Sequence, residues 1–439
     1  MSLPSEENAR IFREQIAPDY LDACTPQRAP VAVIVVGQTG AGKTAVTRMV
    51  KETLDRGGAT AWINMDFYNP YHPDYARWQA ERPQEADALV RPDGDAWWAQ
   101  AQDYALARSF NILIESAAVS PAEFEDICRR IQSASLLPGV APYRIETVFV
   151  AVAGPISRLG TWSRFLGELQ ELDRGRLVDG GVHDASRRGV LRAAAAFERE
   201  GLGNYGAVLR RDGTAVHVQA VTAGQVTPEN ELTLVAAIEH EHARVLTPEE
   251  AAQFVARQAA AILLAPDFGL PELDRVAREG TPLLPPPHAP WQEVSLRAGQ
   301  LRGAAPAAPD PTLLAHTDAD VVQLLAHTLT DRHPASSRAA PSLLGQQAVE
   351  RLLAELARRA SLSPDLRAHE ERQRQILSTT AHRAITEPGS LLPARPSAAA
   401  ARSRSTTISR PPGSKPSTPG PAAIPRPADG QQQRHGRSR

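Results

Sequence analysis

The octapeptide Gly37-Gln38-Thr39-Gly40-Ala41-Gly42-Lys43-Thr44 satisfies every fixed position of the phosphate-binding pattern G-x-x-x-x-G-K-[ST]. Its three glycines permit backbone angles that aim successive N–H groups at a polyphosphate, and the helix that follows adds partial positive charge at its N-terminus. From those positions Lys43 can reach the β- and γ-phosphates and the Thr44 hydroxyl can hold Mg²⁺, so the loop implies ATP and Mg²⁺. Further along the chain, Asp66 follows a short apolar run over 60–64 and has the chemistry of a base for an attacking hydroxyl. Glu115 closes a second apolar run over 111–115 and can hold a substrate or the magnesium shell. Arg164 and Arg176, with Arg158, Arg174, Arg187 and Arg188 nearby, follow the last clear core strand, where an arginine can neutralise charge on a transferring phosphoryl group. Transfer of a phosphoryl group to a hydroxyl is the chemistry this set supports.

Such groups work only if the fold carries them to one edge. The run 31–36 is apolar and β-branched, as a buried parallel strand should be, and a helical pattern over 45–54 follows the glycine loop. Strands expected at 60–64, 111–115 and 145–152 alternate with helices expected at 95–110, 121–133, 156–173 and 184–200, with Asp184 near the N-cap of the last. Strand–helix alternation of this kind predicts an α/β fold, a P-loop kinase-like doubly wound parallel sheet. Ligands in such sheets bind at the carboxyl ends of the strands, where the P-loop, Asp66 and Glu115 all fall.

The expected organisation is an N-terminal helical segment over 1–28 and a kinase domain over 29–204. An extension of hairpin plus helices follows over 205–264, marked by Asp212-Gly213 between two alternating runs. A linker rich in Pro and Ala is expected over 265–318 and a helical region over 319–387, with patterns at 319–331, 342–360 and 364–385. The last 52 residues, 388–439, are dominated by Pro, Ser, Ala and Arg and read as a disordered basic tail.

The formal net charge of −2 hides an asymmetry: the tail holds nine Lys and Arg against Asp429 alone, or +8, leaving −10 for the other 387 residues. A core of that sign argues against nucleic-acid binding. Two cysteines, Cys24 and Cys128, make no disulfide framework and point to a reducing compartment. The start of the chain is polar and acidic rather than a signal peptide, and no apolar run reaches the roughly 20 residues of a membrane span. The resulting expectation is a cytoplasmic protein.

Taken in order, these residues resemble the zeta toxins of bacterial toxin–antitoxin systems over about 25–200. The P-loop comes first. The string Asp66-Phe67-Tyr68-Asn69-Pro70-Tyr71-His72-Pro73-Asp74-Tyr75 looks like the family's aspartate and His-Pro-x-Tyr segment. Asn111–Glu115 looks like its apolar strand ending in glutamate. Arg164, Arg176 and His183-Asp184 match two arginines with His-Asp downstream. The resemblance implies a kinase that phosphorylates UDP-N-acetylglucosamine on its 3′-hydroxyl and so inhibits cell-wall synthesis. Asp66 would then be the base, Lys43, Arg164 and Arg176 would act on the phosphoryl group, and Asp66, Glu115 and His72 would contact the nucleotide sugar. It also implies an antitoxin partner. Ser116-Ala117-Ala118-Val119-Ser120 lacks the threonine and arginine common after that glutamate, and Tyr68-Asn69 stands where an arginine usually follows the aspartate. A kinase of another small hydroxyl compound, such as an antibiotic or nucleoside, and a nucleotide-binding scaffold without transfer remain alternatives.

Overall fold

The computed structural model describes residues 2–375 except 83–84, 173–174, 222–231, 304–307, 333–342 and 364. The basic tail at 388–439, the end of the helical region at 376–387 and part of the hairpin extension therefore lie outside the described residues. Helices α1 (Ser5–Ile11) and α2 (Ala17–Tyr20), joined by a π-helical segment, precede β1 (Val31–Val36) and the P-loop helix α3 (Lys43–Leu54). Then come β2 (Ala61–Ile63), α4 (Tyr75–Glu81), α5 (Ala86–Ala107), β3 (Ile112–Ser116), α6 (Pro121–Ala134) and β4 (Arg144–Val150). Helices α7 (Gly154–Leu172) and α8 (Gly180–Glu200) lead into β5 (Tyr205–Leu209) and β6 (Ala215–Ala220).

The six strands form one sheet in the order β2-β3-β1-β4-β5-β6, parallel except for β6. Strand β1 shows why the sheet is covered on both faces: Ala32, Ile34 and Val36 enter one core cluster, while Val33 and Val35 enter another with Val46 of α3. The N-terminal segment docks on α5, where buried Asp93 accepts from the Leu3 backbone at 3.1 Å and from Asn8 Nδ2 at 3.0 Å, and Trp97 Nε1 donates to Asn8 O at 2.9 Å. Helix α5 starts well before the expected residue 95. Pro92 and Gly94 read as breakers, but burial of Ala86, Val90, Asp93 and Gly94 holds the earlier turns in the helix.

Two expectations need correction. The hairpin forms as expected, with β5 antiparallel to β6, but the domain boundary at 204 does not hold. β5 pairs parallel with β4, Glu146 against Tyr205 through Val150 against Leu209, so the sheet runs through it. Nor is 265–318 a linker. It contains α11 (Leu270–Gly280) and α12 (Ala289–Leu301), which join α9 (Leu234–Ala243), α10 (Pro248–Leu264), α13 (Asp318–Arg332) and α14 (Leu343–Ala360). Leu273, Val276, Trp291 and Val294 from that stretch sit in a core shared with α7, α10, α13 and α14. Three of its prolines (Pro271, Pro282, Pro290) stand at helix starts, where the missing N–H costs nothing.

At the centre of this layer, α10 is buried on nearly every side, and its alanines (Ala251, Ala252, Ala256, Ala259) let neighbouring helices approach closely. A capping box starts it: Glu250 N donates to Thr247 Oγ1 at 3.2 Å and Thr247 N to Glu250 Oε2 at 2.8 Å. Among the described residues, no helix is long and apolar enough to cross a membrane.

Helix α14 is fastened by buried charge. Glu355 accepts from Arg358 Nε at 2.9 Å and Arg359 Nε at 2.7 Å, and Arg359 also donates to Leu313 O, His316 O and Asp318. Removing one member of a buried ion cluster strands the others. Glu355→Ala is expected to destabilise the protein by about 3–5 kcal/mol, read as a lowered urea midpoint.

Candidate functional site

The carboxyl ends of β1, β2 and β3 open into a cleft of about 1860 Å³. Thr39, Gly40, Gly42, Lys43 and Thr44 form its floor, while Gln38 and Ala41 point back into the protein and are buried. Gly40 and Gly42 take φ of 77° and 86°, which only glycine adopts without strain. Lys43 Nζ donates to Gly37 O at 2.6 Å and Gln38 O at 3.3 Å, across the mouth of its own loop. Burial pushes the Lys43 ammonium down to about 8, against the attraction of Glu115 and with Arg164 adding repulsion.

Asp66 lies on the same cleft, exposed, in a single 3-10 turn after β2. Asn64 fixes that turn, its side-chain oxygen accepting from the Asp66 backbone N–H at 3.0 Å. Glu115 ends β3 beside it, and its Oε1 is buried without a hydrogen-bond partner among the described residues. Desolvation raises the Glu115 carboxyl above the ordinary range, with Lys43 opposing that rise. Arg164 lines the cleft from α7, 3.8 Å from Glu168, and Arg176 lines it while paired with Asp87 of α5. The structure thus brings Lys43, Thr44, Asp66, Glu115, Arg164 and Arg176 to one cavity.

It does not bring His72 there. The imidazole is buried against Trp78, with ring centroids 4.5 Å apart, and Nε2 lies 3.5 Å from Asp93. Its Nδ1 accepts from Asp74 N at 3.1 Å, so His72 braces the loop after Asp66 from inside instead of contacting a substrate. Asp184 is likewise not an N-cap. Asp179 caps α8, accepting from Gly181 N at 2.8 Å, and Asp184 sits in the helix, bound to Arg158.

Sequence reasoning missed what holds the loop in place. Gln38 Nε2 donates to Val152 O and, at 3.2 Å, to Ser157 Oγ; Ser157 Oγ lies 2.9 Å from His183 Nε2, and His183 Nδ1 lies 3.3 Å from Asp184. Helix α7 also approaches the loop too closely for any side chain. A Cβ on Gly40 would meet Ser157 O at 2.0 Å, and one on Gly160 would meet Gly40 O at 2.5 Å. Ser157 and Gly160 carry no motif, so only three-dimensional proximity reveals them. Arg211, in the β5–β6 turn, donates to Gly40 O at 3.3 Å, and Arg257 of α10 lines the same wall. The strand-end rule would have found Arg211 once β5 was placed in the main sheet.

The zeta toxin family model matches residues 18–222. A solved chain from the PezAT chromosomal toxin–antitoxin system of the human pathogen Streptococcus pneumoniae is similar at 14% sequence identity and a TM-score of 0.48, over 63% of this chain and 98% of that one. No curated protein matches the chain.

Burial lowers the His183 pKa, the Asp184 hydrogen bond opposes this, and Arg158 lowers it further. The folded value lies below that of the unfolded chain, roughly 6.5, so the folded state takes up this proton later than the unfolded one. Stability held by neutral His183 is complete above that pH and is lost as the pH falls below it. Urea midpoints are expected to drop between pH 7.5 and 5.5, and less steeply in His183→Gln.

Proposed function

We propose that this chain, which the zeta toxin family model matches over residues 18–222, is an ATP-dependent phosphotransferase that phosphorylates a hydroxyl of a nucleotide sugar. The observation that carries this reading is the meeting of the P-loop, Asp66 and Glu115 on one strand-end cleft. Lys43 and the inward N–H groups of the glycine loop hold the polyphosphate. Asp66, exposed and fixed by Asn64, orients the acceptor hydroxyl and takes its proton as the new O–P bond forms and the bond to the ADP oxygen breaks. Arg164 and Arg176 stabilise the charge on the transferring group. The oxygen donors present fit a magnesium ion: the Thr44 hydroxyl lines the cleft and the buried Glu115 Oε1 has no hydrogen-bond partner among the described residues. Held by Thr44 and Glu115, Mg²⁺ would supply positive charge that draws off the charge developing in the transfer.

The acceptor follows from the family resemblance: the 3′-hydroxyl of UDP-N-acetylglucosamine, whose phosphorylation would withdraw a precursor of the cell wall. An antitoxin protein as partner belongs to the same reading. One observation favours a second acceptor class. The α5–α6 end of the cleft carries Asp95, Glu123 and Asp126 beside Arg91 and Arg130, a balance that also suits a hydroxyl compound bearing positive charge, such as an aminoglycoside.

Purified protein given ATP and UDP-N-acetylglucosamine is expected to yield a product heavier by one phosphate in mass spectrometry. Asp66→Asn should lower that rate by about 10²–10⁴-fold, and Lys43→Ala by at least about 10²-fold. Nucleotide binding with no such product would transfer the reading to the second acceptor class. A separate signature comes from Lys43. Its ammonium, held near 8 in the free protein, regains an ordinary value beside phosphate, so ATP binding takes up a proton above that pH and weakens as pH rises. Calorimetry in two buffers at pH 8.5 should record this uptake, and Lys43→Met should abolish it.

A further inference from the structure

The cleft contains a second cationic group that neither the P-loop pattern nor the two arginines after β4 include. Strand β5 runs parallel to β4, so its carboxyl end emerges on the same edge as the P-loop. There the turn over 210–214 closes, with Gly213 N donating to Arg210 O at 3.0 Å and Arg210 N to Thr214 O at 2.9 Å. The two arginines of this turn behave differently. Arg210 is bidentate on buried Glu241, at 2.9 and 3.1 Å. Arg211 turns inward over the glycine loop, and its Nε and Nη2 lie 3.3 Å from where a Cβ on Gly42 would stand. Its hydrogen bond is to a carbonyl, Gly40 O, and among the described residues it has no carboxylate partner.

Arg257 reaches the same wall from α10, exposed and likewise without a carboxylate among the described residues. Burial lowers the Arg211 pKa, and the charge of Arg257 lowers it further, so the two cations lie within electrostatic reach of each other. Around them, arginines that serve the fold are paired: Arg210 with Glu241, Arg244 with Glu250 and Arg158 with Asp184. Like charges left facing across a cleft beside a phosphate loop cost electrostatic energy until an anion enters.

We propose that Arg211 and Arg257 form a clamp on the polyphosphate of the bound nucleoside di- or triphosphate, on the nucleoside side of the P-loop, away from Asp66 and Glu115. The inference rests on the reading of the cleft as a nucleotide site. It also assigns a role to the C-terminal layer, because α10 lies beyond the matched segment and yet supplies one jaw. Arg211 would exchange its Gly40 carbonyl for phosphate oxygens, and a guanidinium suits that exchange because it presents planar paired donors.

The test is titration of the full chain with fluorescent ADP, alongside KM values for ATP and for the hydroxyl acceptor. Arg257→Gln, an exposed position that leaves the fold intact, and Arg211→Gln are each expected to weaken ADP binding about tenfold. Neither should change the acceptor KM by more than about twofold, and Arg297→Gln, paired with Glu350 on α14, should bind ADP as the parent does. If Lys43→Ala loses ADP while both arginine variants bind it normally, the clamp is wrong and the nucleotide site stands. If the arginine variants raise the acceptor KM instead, the anion between them belongs to the acceptor and the clamp is again wrong. If Lys43→Ala binds ADP like the parent, the nucleotide reading falls and the clamp with it.

Discussion

There is no room for a side chain between the phosphate loop and the helix after β4, and much of the molecule is arranged by that contact. Gly40 and Gly160 bring two backbones together, and Gln38 reaches past them to Ser157, which meets His183. The opposite face of α7 carries Leu159, Trp162, Phe165 and Leu166 into the core of the C-terminal layer. One helix therefore fixes the curvature of the glycine loop with one side and seats five further helices with the other. Close-packed interiors transmit such displacements without absorbing them. The C-terminal layer, far from the motif in sequence, is mechanically next to it.

Charge is distributed on the same principle. Arginines that hold elements together are buried with carboxylates, as in the Glu355 cluster and the Arg158–Asp184 pair that ties α7 to α8. Two cations facing the cleft rest on weaker partners. Lys43 rests on two carbonyls of its own loop, and Arg211 on a third. A carbonyl holds a cation in position with little competition for an incoming phosphate, whereas a carboxylate would have to be displaced at a cost of several kcal/mol. Of the carboxylates facing the cleft, Asp66 is exposed, with its backbone N–H donating to Asn64, while Glu115 is desolvated and drawn toward Lys43.

The glycine loop, the strand before it and the helix after it were legible because their chemistry is local: glycines for φ, a lysine at fixed spacing, a β-branched run. The alternation of strands and helices identified the sheet, and order along the chain brought Asp66 and Glu115 to its loaded edge. The stretch over 265–318 was misread because proline and alanine content describes a linker as readily as short helices packed on α10. The hairpin itself was legible, but its place in the main sheet was not, because Asp212-Gly213 specifies a turn and says nothing of which sheet β5 joins. His72 was assigned to the substrate by its place in a family string, yet its side chain is turned into the core against Trp78 and Asp93.

By itself the sequence determined the glycine loop, the α/β class and the carboxylates at the strand ends, since each depends on residue type at short spacing. Tertiary structure alone decided which of many arginines face the cleft, that Ser157 and His183 brace the loop, and that a helix from residues 248–264 forms part of its wall. Those outcomes depend on contacts between segments tens to hundreds of residues apart. Spacing along the chain carries no record of such contacts, because packing and the hydrogen-bond needs of buried groups select them only once the chain has folded.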